Sequence, residues 1–225
     1  MSSIVDTSIW TKTGICEALL HQGGKVLQSD AMLVLDFGGQ YCHLIARRVR
    51  ENKVYSEIVP HDITPEEIGE LNKKFNVRGL ILSGGPLSVY REDSPKLNPA
   101  ILDLGLPMLG ICYGHQMLAY LAGGVVKPSG KGEYSITYAN IIHPTGVLEG
   151  LNPREKVWMS HSDSVYSLPE EYEVLAYTEN CPVAAFQHKN KPIFGVQWHP
   201  EVIHTKHGMK VLRNFIFKIC KCQPN

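Results

Sequence analysis

No run of residues in this 225-residue chain is apolar for the length that a bilayer crossing needs. The opening residues, Met1 to Asp6, carry no basic stretch and lead into no long apolar core, so a secretory leader is not expected. An excess of one charge is missing too: 22 Lys and Arg balance 22 Asp and Glu. A general nucleic-acid binder would show a basic surplus, so that class is not expected. The six cysteines (Cys16, Cys42, Cys112, Cys181, Cys220 and Cys222) include no CxxC pair. The CxC of Cys220 and Cys222 is not by itself a metal signature. Free thiols in a reducing, cytosolic setting are therefore expected, rather than a zinc site or a disulfide scaffold. The histidines and carboxylates are likewise not spaced as a ligand set, so no metal is expected. Internal repeats and low-complexity tracts are absent.

What is present suits one sizeable α/β domain, placed at residues 31–222, behind an N-terminal extension at residues 1–30. The extension holds one short helical candidate, Ile15 to Leu20, between glycine breaks. Beyond it, apolar strands alternate with amphipathic helices. Met32–Asp36 reads as a buried strand stopped by Gly38-Gly39, and Tyr41, Leu44, Ile45 and Val49 form one face of a helix. Val54–Val59 is a second strand. Thr64-Pro65-Glu66-Glu67 carries the cap, first-position proline and third-position glutamate of a helix start. Gly79–Ser83 and Pro107–Ile111 are two more strands, the last followed by a helix through Met117, Leu118 and Leu121. This alternation predicts a mainly parallel, mixed sheet with helices on both faces. After Gly123-Gly124 the texture changes. Short runs at 134–138, 157–159, 173–177, 183–186 and 193–197 read as antiparallel or mixed strands added to that sheet. A closing helix presents Val211, Leu212, Phe215, Ile216 and Ile219 on one face.

The sharpest chemical signal is Gly110-Ile111-Cys112-Tyr113-Gly114, between an apolar strand and a helix. A nucleophile on so tight a turn sits in a strained backbone, and side chains at the flanks would clash. The helix N-terminus also favours a thiolate. A buried structural cysteine between turn glycines is the plainer alternative. A thiolate needs a base and a group to orient that base. Gln197-Trp198-His199-Pro200-Glu201 offers both, since His199 and Glu201, two residues apart, leave an extended chain on the same side. A third strand end carries Ser83-Gly84-Gly85-Pro86. There, the Gly85 N–H with that of Tyr113 would make an oxyanion hole, or the segment is an ordinary strand-ending turn. A phosphate loop fits poorly, since neither GxxxxGK[ST] nor an aspartate after the glycines is present. In an open parallel sheet, such groups gather outside the carboxyl ends of the strands.

Taken together, SGGP, GICYGHQ and QWHPE resemble the class I, or triad, glutamine amidotransferases, with similarity from about Met32 to Ile219. Leu35–Tyr41, Ala46–Arg50, Ile81–Tyr90 and Trp158–Val165 resemble most closely the GMP synthase branch of that family. The resemblance implies a flavodoxin-like α/β fold. It also implies that Cys112 attacks the side-chain amide of glutamine, that His199 moves the protons and that Glu201 orients His199. Gly85 and Tyr113 would hold the oxyanion. Gly84, Gln116 and the stretch Ser160, His161, Ser162 and Asp163 would touch the bound glutamine, with Asp163 pairing its ammonium. From the residues alone, Ser160–Asp163 reads equally as a polar loop and Gln116 as a surface residue.

The resemblance further implies a partner, an ATP-pyrophosphatase domain or subunit that activates and aminates XMP. ATP and Mg²⁺ would belong to that partner, leaving this chain without a cofactor. Two departures stand out. His115 follows the elbow where methionine is frequent, a change expected to be tolerated, and residues before Ser29 match nothing. A related subunit serving anthranilate or carbamoyl phosphate synthesis, a γ-glutamyl hydrolase, or a non-catalytic subunit with the same fold are the competing readings. The chain is expected to be a domain of a longer protein rather than a free-standing subunit.

Overall fold

The computed structural model describes residues 28–224. The helix expected at Ile15 to Leu20, with Cys16, lies outside those residues, as does all of the extension before residue 28. Asp30, counted with the extension from sequence, already opens the first strand.

The first half follows the apolar pattern: β1 (Asp30–Asp36), α1 (Cys42–Glu51), β2 (Tyr55–Pro60), α2 (Pro65–Lys74), β3 (Asn76–Leu82), β4 (Met108–Ile111) and α3 (Tyr113–Leu121). The second half is strand-rich: β5 (Val125–Glu133), β6 (Ile136–Ile141), β7 (Arg154–Trp158), β8 (His161–Ser167), β9 (Tyr172–Tyr177), β10 (Ala185–His188) and β11 (Ile193–Val196). The chain then forms α4 (Gly208–Arg213), which widens into a π-helical stretch over Asn214–Ile219.

Nine strands form one sheet in the order β2-β1-β3-β4-β11-β10-β9-β6-β7. From β2 to β11 every pairing is parallel, and from β11 to β7 every pairing is antiparallel. The sheet is therefore mixed, and the expected α/β class holds. One part differs from expectation. β5 and β8 leave the main sheet and pair only with each other. Pro128, Gly130 and Gly132 blur the strand pattern of β5, and its register with β8 breaks between Pro128 and Glu133. Residues 161–163, read from sequence as polar loop, open β8.

β1 shows how the sheet is packed between its helices. Its residues Ala31 to Leu35 are fully buried, and their side chains alternate between two apolar layers. Met32 and Val34 pack with Cys42, Ile45 and Val49 of α1 and with Leu212 and Phe215. Leu33 and Leu35 pack with Ile68 of α2 and with Met117 and Leu118 of α3. Helices thus cover both faces, and each fully buried Leu or Ile contributes roughly 2 kcal/mol. α2 begins as its sequence predicts. Glu67 N–H donates to Thr64 Oγ1 (3.2 Å), and Thr64 N–H donates back to Glu67 Oε2 (2.8 Å).

Candidate active site

β4 ends at Ile111, and the next residue, Cys112, has φ +53° before α3 starts at Tyr113. Few residues with a side chain hold such a backbone, which marks a place where strain is kept for a purpose. The flanking glycines make the turn sterically possible. A Cβ at Gly110 would sit 2.5 Å from the backbone of Gly114, and one at Gly114 would run into the Leu82 carbonyl. Backbone hydrogen bonds anchor the elbow to both neighbouring strands: Cys112 N–H donates to Val196 (2.9 Å) and Gly114 N–H to Ser83 (3.0 Å). The strained nucleophile turn expected from sequence is present.

β11 is the parallel neighbour of β4, with Val196 opposite Ile111. The chain beyond β11 therefore emerges beside Cys112 and delivers Trp198-His199-Pro200-Glu201. His199 Nδ1 and Glu201 Oε1 are 2.7 Å apart, with side chains 5 % and 0 % exposed. Three contacts fix this segment: His199 N–H donates to Trp158 O (3.0 Å), Thr205 Oγ1 to His199 O (2.6 Å) and Arg48 Nε to Glu201 O (2.8 Å). Tyr41 meets the His199 ring edge-to-face at 5.1 Å. Burial alone would push His199 towards neutrality, but Cys112 and Glu201 outweigh it and hold its pKa well above the usual histidine value.

Gly84 closes this group. A Cβ there would lie 3.2 Å from His199 Cε1 and 3.7 Å from Cys112 Cβ, so only glycine leaves the pair undisturbed. A Cβ at the next residue, Gly85, would lie 3.1 Å from Tyr113 Cγ, which makes Gly85 and Tyr113 neighbours. Tyr113 opens α3, so its N–H has no carbonyl one helical turn back. Gly85 lies beyond the end of β3, off the ladder.

Cys112, His199, Gly84 and Gly85 line a cavity of about 400 Å³, which also takes in Gln116, Tyr134 and the stretch Ser160 to Asp163. Gln116 is buried in α3 rather than on the surface. Its Nε2 donates to Asp163 O (2.8 Å) and Gln197 Oε1 (3.1 Å), which leaves its carbonyl oxygen as the group to meet a ligand. Ser160 O lies 3.6 Å from Cys112 Sγ. The carboxylate of Asp163 accepts from Tyr90 Oη (3.2 Å). Ser162 is exposed, and its carbonyl accepts from Ser129 Oγ at 2.7 Å. His161 lines the cavity with the rest of its stretch, but its ring nitrogens are engaged within the protein. Nδ1 meets Asp163 O (2.8 Å) and Nε2 meets Glu133 Oε2 (3.0 Å), so neither nitrogen is free for a ligand. His115 is fully buried, facing Val183 O at 3.0 Å and Phe186 at 4.8 Å; burial pushes its pKa down to about 3.

Sequence reasoning missed Tyr90, Glu133, Thr178, Gln197 and Tyr41, all of which act across long stretches of chain. Of these, Tyr41, Tyr90 and Gln197 fall within the quoted stretches and so carry a local signal, whereas Glu133 and Thr178 carry none. Among the described residues no group of three His, Cys, Asp or Glu is placed to hold a metal ion. No described helix is long and apolar enough to cross a membrane, and the five described cysteines are buried and unpaired.

The family model described as Glutamine amidotransferase class-I matches residues 33–219. A GMP synthase [glutamine-hydrolyzing] from Caldanaerobacter subterraneus subsp. tengcongensis is 48% identical over 199 residues, 88% of this chain and 38% of that protein. A protein of the same description from Thermosynechococcus vestitus is 45% identical over 209 residues, 91% of this chain and 38% of that one. The chain thus spans well under half the length of these curated relatives. Among solved structures, a Thermoplasma acidophilum protein described as a GMP synthase subunit superposes with a TM-score of 0.75 at 34% identity, covering 86% of this chain and 94% of that one. A glutamine amidotransferase from Thermotoga maritima shares the fold, with a TM-score of 0.67 at 18% identity over 86% of this chain and 99% of that one.

Proposed function

The chain belongs to the class-I glutamine amidotransferase family, and we propose that it hydrolyses glutamine to glutamate and ammonia at Cys112. One observation carries this reading: a cysteine held at φ +53° beside a buried histidine that is itself 2.7 Å from a buried carboxylate.

In this reading the Cys112 thiolate attacks the side-chain amide carbon of glutamine. The N–H groups of Gly85 and Tyr113 receive the oxyanion as it forms. His199, in its imidazolium form, gives a proton to the departing nitrogen, and ammonia leaves a γ-glutamyl thioester on Cys112. His199, now neutral, takes a proton from water. The hydroxide attacks the thioester, and glutamate departs as the thiolate is restored. Glu201 keeps Nδ1 protonated and stabilises the imidazolium. Gln116 and the Asp163 carboxylate face the amino-acid end of the substrate, with Asp163 matched to its ammonium.

The ammonia acceptor is read from the relatives. GMP synthases are the described relatives, so the partner is an ATP-pyrophosphatase domain or subunit that aminates XMP. ATP and Mg²⁺ belong to that partner. Buried, unpaired thiols suit a cytoplasmic setting.

The test is glutamate release from glutamine by the full chain and by Cys112→Ala. Both are assayed alone and with a GMP synthase pyrophosphatase part, ATP, Mg²⁺ and XMP. Activity lost in the variant and raised by the partner supports the proposal. Equal turnover by Cys112→Ala would overturn it. Stimulation absent with XMP but present with another acceptor system would overturn the assignment of the partner alone.

A further inference from the structure

The site contains a histidine that its mechanism leaves without a role. His161 follows Ser160, whose carbonyl meets the Cys112 thiol, and precedes by two residues Asp163, which lines the cavity. Its side chain is 1 % exposed. Nδ1 faces the Asp163 carbonyl, which can only accept, so Nδ1 is the donor there (2.8 Å). Nε2 meets the Glu133 carboxylate at 3.0 Å. Glu133 is itself buried and accepts from Thr178 Oγ1, which lies 2.9 and 3.0 Å from its two oxygens. Thr178 Oγ1 in turn accepts from Cys181 N–H at 3.0 Å. The chain of bonds runs from the turn after β9, through the end of β5, to the segment beside the nucleophile.

Its position in the ribbon gives it a purpose. β5 and β8 are in register at Pro128↔Asp163 and again at Glu133↔His161. β5 therefore spends more residues than β8 between these pairs, and the ordinary ladder is interrupted where the cavity opens. Side-chain bonds replace it there: His161 to Asp163 O, Gln116 to the same carbonyl, and Ser129 to Ser162 O. β8 keeps its strand partners at His161 and Asp163 but has none at Ser162, so these bonds add to a thinned ladder in fixing the segment.

Resting on the glutamine-site reading above, we propose that His161, locked by Glu133, is a positioning residue. It fixes the Ser160–Asp163 backbone so that the Asp163 carboxylate and the Ser160 carbonyl stand at the distances that glutamine binding at Cys112 requires. It does not touch glutamine.

The experiment compares two reagents for Cys112 on the full chain. A diazoketone analogue of glutamine must first be recognised by its ammonium and carboxylate, whereas iodoacetamide needs only an accessible thiol. In His161→Asn, labelling by the analogue slows about tenfold or more. KM for glutamine rises by a similar factor, kcat changes less than threefold, and iodoacetamide labelling stays within twofold of wild type. Glu133→Gln, which keeps the volume, shows the same pattern at about threefold and serves if His161→Asn fails to fold. Equal slowing of both reagents means general disruption and overturns the positioning role, as does no change in either. A wild type that turns over glutamine while the variants keep its KM overturns this role alone. A wild type inert to glutamine and to the analogue overturns the site reading, and the role with it.

Discussion

Cys112 and His199 come from the ends of neighbouring parallel strands, and Gly84 lies between them: a single added methyl there would touch Cys112 at 3.7 Å and press on His199 at 3.2 Å. The nucleophile and its base are thus set by the sheet, and the carboxylate of Glu201 completes them from the far side of the ring at 2.7 Å.

Glu201→Gln should keep the volume and remove the charge that holds the imidazolium. The kcat for glutamine is expected to fall on the order of 10²–10⁴-fold with KM changed little, the pattern of a lost orienting carboxylate. Steady-state kinetics checks this. A loss under threefold would remove Glu201 from the catalytic group.

Cys112 holds a backbone that glycine adopts freely. Relief of that strain is worth about 1–3 kcal/mol, and the extra freedom of an unfolded glycine takes back part of it. Cys112→Gly should therefore be about 1 kcal/mol more stable than Cys112→Ala, with both inactive. Denaturant unfolding of the two variants decides it, and a more stable alanine variant would contradict the strain.

His115 makes stability depend on pH. Burial takes its pKa from 6.5 down to about 3, so the unfolded chain takes up a proton in the interval where the folded chain does not. Its contribution is complete above the unfolded value and is lost as pH falls towards the folded one. Between pH 7.5 and pH 5 the loss amounts to about 2 kcal/mol. His115→Met should lose about that much less than wild type over the same interval. Parallel pH profiles for the two proteins would refute the assignment.

Tyr90 donates to the Asp163 carboxylate at 3.2 Å and is partly exposed, so its hydrogen bond is worth ~1 kcal/mol. Tyr90→Phe should raise KM for glutamine about threefold to tenfold and leave kcat within twofold. A change confined to kcat would place Tyr90 in the chemistry instead.

What the sequence discloses follows from the range of the forces involved. The elbow is local: a strained residue needs Gly110 and Gly114 beside it, and those glycines are visible in the chain. Strands β1 to β4 are legible because strands buried on both faces read as continuous apolar runs. β5 is hidden, because Pro128, Gly130 and Gly132 break its pattern where it bulges. The bond between His161 and Glu133 is hidden as well, because nothing in the chain announces that Glu133 will meet that ring from another strand. The π-helical turn over Asn214–Ile219 is also hidden, since its apolar spacing suits an ordinary helix equally well. The order of strands in the sheet depends on pairings between distant segments, which no local pattern encodes.

The parallel pairing of β4 with β11 has a further consequence. The two strands are bonded directly, so the distance between nucleophile and base is set first by that pairing, and the long excursion of chain between them adds the Trp158 carbonyl that His199 N–H meets. Hairpins on the outer side of that excursion, away from Gln116 and Ser160–Asp163, can therefore change in length while the reactive pair stays in step. The architecture separates inheritance of the chemistry from inheritance of the customer it serves.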